Sequence, residues 1–169
     1  NVVLTGLLSV IKGYGVEAKD AADITDRMFV AFRAGRFTIA QLSSGIGRVA
    51  ATAKTAGLSL DEMFGAIASL TRGGLTLKEA VTSLNAIMLT FLKGEKSAAE
   101  AAEKLGIRLS STTLQFGGLA RVMKQLSTVQ GDTIAGIFRE SEALKGVSIL
   151  SQNIAGFKED IADQTERLG

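Results

Sequence analysis

The chain has 169 residues, 46% of them apolar and 21% charged, with a mean hydropathy of +0.26, so it can bury a sizeable core and is not a disordered segment. It contains no Pro, Cys, His or Trp, which excludes disulfides, thiolate nucleophiles, the usual zinc sites and any Ser-His-Asp or Cys-His apparatus built from this chain alone. A net charge of +2 gives only weak support for an anionic partner.

At the start, Val2, Val3, Leu4, Leu7, Leu8 and Ile11 predict an apolar helix that Gly13 and Gly15 end. Asn1 carries neither a Met nor a signal-like charged region, which reads as a fragment of a longer protein. A second helix is expected over 18–34. Asp20 and Asp23 stand near its positive end, and Ile24, Met28, Phe29 and Phe32 form the stripe to be buried. Gly35 stops it.

Residues 38–92 organise the rest, as three helices with their own start and stop signals. Thr38 with Gln41, Ser59 with Glu62, and Thr76 with Glu79 each place a hydroxyl three residues before Glu or Gln. That is the capping box, in which the two side chains satisfy free amides of the first turn. Gly57 ends the first of these helices and Gly73-Gly74 the second, since glycine enters the left-handed conformation without a Cβ clash. Ile39, Leu42, Ile46, Val49 and Ala53 fall on one helical face, as do Leu60, Met63, Phe64, Ile67 and Ala68. Leu77, Val81, Leu84, Ile87, Met88 and Phe91 repeat the pattern. Short loops between such helices favour packing of consecutive elements.

Residues 93–96 form a polar break and the expected boundary between a helical unit over 1–93 and a second over 97–169. Ser97 with Glu100 is a fourth capping box, opening a helix that stops at Gly106. Residues 107–116 alternate with period two and carry hydroxyl and β-branched side chains, so a short strand or hairpin and an extended loop both fit. Leu119, Val122, Met123 and Leu126 mark a further helix after Gly117-Gly118. Gly131-Asp132 leads to Ile134, Ile137, Phe138 and Leu144. A last helix carries Leu150, Ile154, Phe157, Ile161 and Leu168, a coiled-coil-like stripe expected to continue past Gly169.

The expected fold is therefore all-α, a bundle of short amphipathic helices joined by glycine-terminated turns. The longest charge-free run, residues 80–92, falls short of the roughly 20 residues a membrane span needs. Asp61-Glu62 and Glu159-Asp160 are neighbours that point apart on a helix and read as solvated charge. No glycine run is followed by Lys-Ser/Thr as in a phosphate loop, and no aromatic platform accompanies the basic residues. No catalytic, metal or cofactor site is visible, and no enzymatic role is expected. Glycine is over-represented, at 19 residues of 169. Gly45, Gly47, Gly65, Gly136 and Gly156 fall inside helical stripes, where each costs up to about 1 kcal/mol relative to Ala, so either close helix approach or a looseness that lets the chain unpack is expected there, tight packing first.

Several local patterns occur together: Tyr14-Gly15, Asp20-Ala-Ala-Asp23-Ile24 with Asp26, Phe29, and Phe37-Thr38-Ile-Ala-Gln-Leu42. Ala53-Lys-Thr-Ala-Gly57-Leu-Ser-Leu-Asp-Glu62, Ile67-Ala-Ser-Leu-Thr71-Arg-Gly-Gly74 and the run 84–92 follow, then Lys104-Leu-Gly-Ile107 and Gly117-Gly-Leu119. With these the chain resembles the conserved core region of bacteriophage tail tape measure proteins. It departs from them at Lys93-Gly94-Glu95, where that family often has proline. The resemblance implies a structural role in the tail lumen of the virion, reached from the host cytoplasm during assembly. There the chain length would set tail length. The implied partners are the tail tube (major tail) protein, tail assembly chaperones, baseplate or tip proteins and further copies of the chain. Ejection during genome delivery, with contact to the host membrane, is implied as well, and neither a cofactor nor a specific nucleic-acid site is. The rival reading is a membrane-active helical domain forming an oligomeric channel in the host envelope.

Overall fold

Local capping chemistry sets most of the helix limits. In the computed structural model, which describes residues 1–166, α1 (Val2–Tyr14) starts at Asn1, whose side chain accepts the Val3 amide, and ends on Gly15. A 3-10 turn at Ala18–Asp20 leads into α2 (Ala21–Ala34). Full capping boxes open α3 (Ile39–Ala56) at Thr38 with Gln41 and α5 (Leu77–Lys93) at Thr76 with Glu79. Between them α4 (Leu60–Arg72) starts at Ser59, whose hydroxyl accepts the Glu62 amide at 3.1 Å. The Glu62 carboxylate does not close a full capping box with the Ser59 amide. Gly57 ends α3 with φ 81°, and after α4 the left-handed residue is Gly74 (φ 111°), Gly73 still being right-handed.

The second half departs from the sequence reading in several places. Helix α6 (Lys96–Glu103) is opened by Glu95, not by Ser97. The left-handed turn at Gly94 delivers the Glu95 carbonyl directly to the Ala99 amide, so Ser97 is already helical and makes no box with Glu100. Gly106, with φ 75°, completes the turn after it. Residues 107–116 form no strand: 107–110 are irregular and α7 (Ser111–Gly117) follows. Thr113 donates its hydroxyl to the Arg108 carbonyl at 2.6 Å and Leu114 is buried, so local hydroxyl bonding and one apolar anchor outweigh β propensity. Then come α8 (Leu119–Leu126), α9 (Gly131–Ile137), α10 (Ser141–Gln152) and α11 (Ile154–Glu166). The helix expected from residue 150 onward is thus interrupted at Asn153, and Leu168 of its stripe lies outside the described residues.

Helix α3 packs between α1 and α5, while α4 is flanked by α2, α5, α10 and α11. Phe64, Phe91, Phe138 and Phe157 are fully buried, and the Phe91 and Phe138 rings sit 6.2 Å apart in a tilted pair. Each such side chain contributes on the order of 1.5–3 kcal/mol by burial. The apolar core is continuous from Val10 to Phe157 and passes across the polar break at 93–96. The stripe of α2 is Ile24, Met28 and Ala31; Phe29 and Phe32, expected to be buried, point outward at 50% and 38% exposure.

Among the stripe glycines, Gly47 and Gly65 serve close approach. A Cβ on Gly65 would lie 3.1 Å from the Ile161 amide nitrogen, and one on Gly47 3.2 Å from Ser9 Cβ. Gly45 meets nothing nearer than 3.7 Å, and Gly136 nothing within 4 Å.

Candidate functional site

The residues that stand out chemically gather along one edge of α4. Asp61, Gly65, Ser69 and Arg72 recur at steps of four, four and three, which places them on one helical face. That face meets α11. Arg72 forks onto the Asp160 carboxylate, Nη1 to Oδ1 and Nη2 to Oδ2, both at 2.7 Å. Ser69 donates its hydroxyl to the same carboxylate, which is only 2% exposed. A bidentate, hydrogen-bonded pair is the arrangement in which a buried carboxylate is tolerated. At the other end Arg27 of α2 bridges Asp23 and Asp61. Thr165 donates to Asp61 at 3.2 Å, and Gln164 donates to the Arg27 carbonyl at 3.3 Å.

Beside this seam, Glu62 reaches away from its own helix. Its Oε1 accepts the Leu119 amide at 2.6 Å, and the Ala120 amide also bonds the carboxylate. Glu62 thus caps α8, where Gly118 has no side chain of its own to offer. Gly118 holds φ 80°, and a Cβ there would fall 2.8 Å from Glu62 Oε1, so glycine is needed on both counts. Burial raises the Glu62 carboxyl above its ordinary range, with the Leu119, Ala120 and Ser59 amides opposing the shift and Asp61 adding to it. Tyr14 donates its hydroxyl to the Leu58 carbonyl at 3.1 Å and touches the Met63 sulfur; burial, then the charge of Glu62, pushes its phenol upward.

Of the residues singled out by sequence, Gly57 and Glu62 come together against the α7–α8 corner. A Cβ on Gly57 would meet Gln115 Cβ at 2.8 Å. Gly73 lies under Ile149 of α10. Gln41 and Thr76 line one shallow pocket of about 290 Å³ with Arg48 and Lys78. Ser97, Glu100 and Gly106 belong to a separate turn around α6. The adjacent acids do not behave as solvated pairs: Asp160 and Glu62 turn inward, while Glu159 stays exposed. Arg27, Ser69, Arg72, Asp160 and Gln164 carried no local signal, because their partners lie 84 to 137 residues away for all but the Asp23 and Asp61 contacts.

Among the described residues no group of three or more acidic side chains converges as a metal site, and no helix is long and apolar enough to cross a membrane. The outer surface carries apolar side chains at Leu4 and Leu8 on α1, Phe29 and Phe32 on α2, and Phe116 on α7.

An all-α bundle whose buried charges join helix to helix defines the protein as a helical structural module. The model of the phage-related minor tail protein family matches residues 2–148, and the chain belongs to that family. It is a phage tail protein, whose setting is the virion and whose neighbours are other tail components. No curated protein and no solved structure matches it.

Proposed function

We propose that this chain is part of a tape measure protein, the tail component whose length sets the length of the tube and which leaves the tail when the genome is delivered. The observation that carries the reading is the family match over 2–148, taken together with the tape-measure-like residue pattern between Tyr14 and Leu119. The role is structural and not enzymatic. Short capped helices joined by glycine turns suit a chain that is stored as a bundle and can be drawn out without breaking its helices. At about 1.5 Å of rise per helical residue, the whole chain would cover about 250 Å if laid end to end. Partners in this reading are the tail tube protein, the tail assembly chaperones, the baseplate or tip proteins and further copies of the chain.

In-frame deletion of residues 38–92 from the parent gene, followed by electron microscopy of the particles, tests the proposal. A ruler predicts tails shorter by about 80 Å, at about 1.5 Å per helical residue. Absent tails would move the segment to initiation of assembly. Tails of normal length would remove it from length control, and loss of infectivity in those particles would assign it to genome delivery. Leu4, Leu8, Phe29 and Phe32 favour a second reading, a helical domain that works on the host membrane as an oligomer. Leakage of dye from anionic liposomes by the purified chain would support that second reading, and intact liposomes would end it.

A further inference from the structure

We propose that α11 is an exchangeable helix: it docks on α2, α4 and α8 of its own bundle, or with the same contacts on those of a second copy of this chain. Two copies would be joined by reciprocal exchange. This goes beyond a place in the tail and does not depend on the ruler role.

The joint between α10 and α11 is one residue, Asn153, with φ −124° and ψ 58°. The turns after α1, α3, α4, α5, α6 and α7 contain glycines with positive φ, which hold the bend locally. Nothing comparable stands at Asn153: the backbone there is not left-handed and no proline follows. The apolar spacing favours straightening instead. Ala143, Val147, Leu150, Ile154, Phe157, Ile161 and Gln164 advance by alternating steps of four and three, a heptad register that runs through the joint without a slip. Written as one helix, α10 and α11 share a single apolar face. Two things hold the bend. One is the Asn153 side chain, which accepts the Gly156 amide at 3.2 Å and occupies the space a Gly156 Cβ would need. The other is the docking of α11.

That docking is transferable between copies. Asp160 to Arg72 and Ser69, Gln164 to Arg27, and Thr165 to Asp61 all join α11 to residues 88 or more positions earlier. A helix arriving from another copy would meet the same partners in the same geometry. Straightening at Asn153 would carry Ile161 off Gly65 of α4, draw Phe157 out of the core and leave Asp160 and Arg72 unpaired. Exchange restores both the apolar burial and the ion pair, whereas an opened single copy restores neither. The occupant that fits the emptied groove is therefore α11 of a second copy.

The test starts with light scattering on the purified chain and on Asn153→Ala, after refolding at high protein concentration. Asn153→Ala removes the cap of α11 and favours a continuous helix while leaving every docking residue in place. We expect a dimer in both, with the dimer-to-monomer ratio raised about five-fold in the variant, as loss of an N-cap implies. Monomer alone in both, at all concentrations, overturns the proposal.

The second arm places the contact. Thr165 Oγ1 lies 3.2 Å from Asp61 Oδ2, both residues are accessible, and the chain has no native cysteine. Chains carrying Thr165→Cys and chains carrying Asp61→Cys are refolded together and oxidised, with folding of each checked by circular dichroism. A disulfide-linked heterodimer on a non-reducing gel is expected. A dimer of folded chains that yields no such crosslink has formed through another surface and overturns the proposal.

Discussion

The carboxylate of Glu62, three residues into α4, accepts the amide of Leu119 at 2.6 Å and so caps a helix that begins fifty-seven residues further on. The same side chain was placed, by spacing, to complete a box with Ser59. It serves the distant helix because the first turn of α8 follows Gly118 and has no capping side chain of its own.

Glu62→Gln is expected to keep the cap, since an amide oxygen accepts the same bonds, and to remove the cost of burying a charge. The folded carboxyl lies above its ordinary value of 4.5. Its contribution is therefore full below that value and is lost as pH rises through the folded pKa. Urea denaturation from pH 4.5 to 8 should show the stability of Glu62→Gln gaining on the wild type as pH rises. Glu62→Ala, which strands the Leu119 amide, should cost about 1–3 kcal/mol at pH 7.

Asp160→Ala should destabilise the bundle by about 3 kcal/mol, because it leaves the Arg72 guanidinium and the Ser69 hydroxyl without their shared acceptor. Lys93→Ala, which removes an exposed pair with Glu140 at 3.8 Å, should change stability by less than about 0.5 kcal/mol. Thermal unfolding of the two variants side by side measures the contrast.

Two glycine substitutions of equal chemistry should act in opposite directions. Gly45→Ala has room on α3 and should stabilise by about 0.5–1 kcal/mol through helix propensity. Gly65→Ala would press on the Ile161 backbone and should destabilise by about 1–3 kcal/mol. Denaturant midpoints of both variants decide it.

Phe29→Ser and Phe32→Ser should each cost no more than about 1–2 kcal/mol, since both rings are only half-buried. Phe91→Ala, which empties a fully buried site beside Phe138, should cost about 3–5 kcal/mol. Calorimetry on the three variants separates core from surface among the phenylalanines.

The sequence by itself determined the helical class and many of the helix limits. Those rest on relationships three or four residues long: Thr38 with Gln41, Thr76 with Glu79, and the glycine turns at Gly15 and Gly57. Such local geometry leaves a periodic trace that can be read before any folding is known. Where local signals competed, the trace misled. Ser97 lost the start of α6 to the turn at Gly94, and the hydroxyl-rich run at 107–116 became half a helix, with no strand among the described residues to pair with. Tertiary structure alone decided that Phe29 and Phe32 face outward, that Glu62 caps α8, and that Asp160 is buried on Arg72. Each of these depends on partners tens of residues away. The physical reason is that burial of a side chain is set by what packs over it, and its own neighbours in sequence do not specify that.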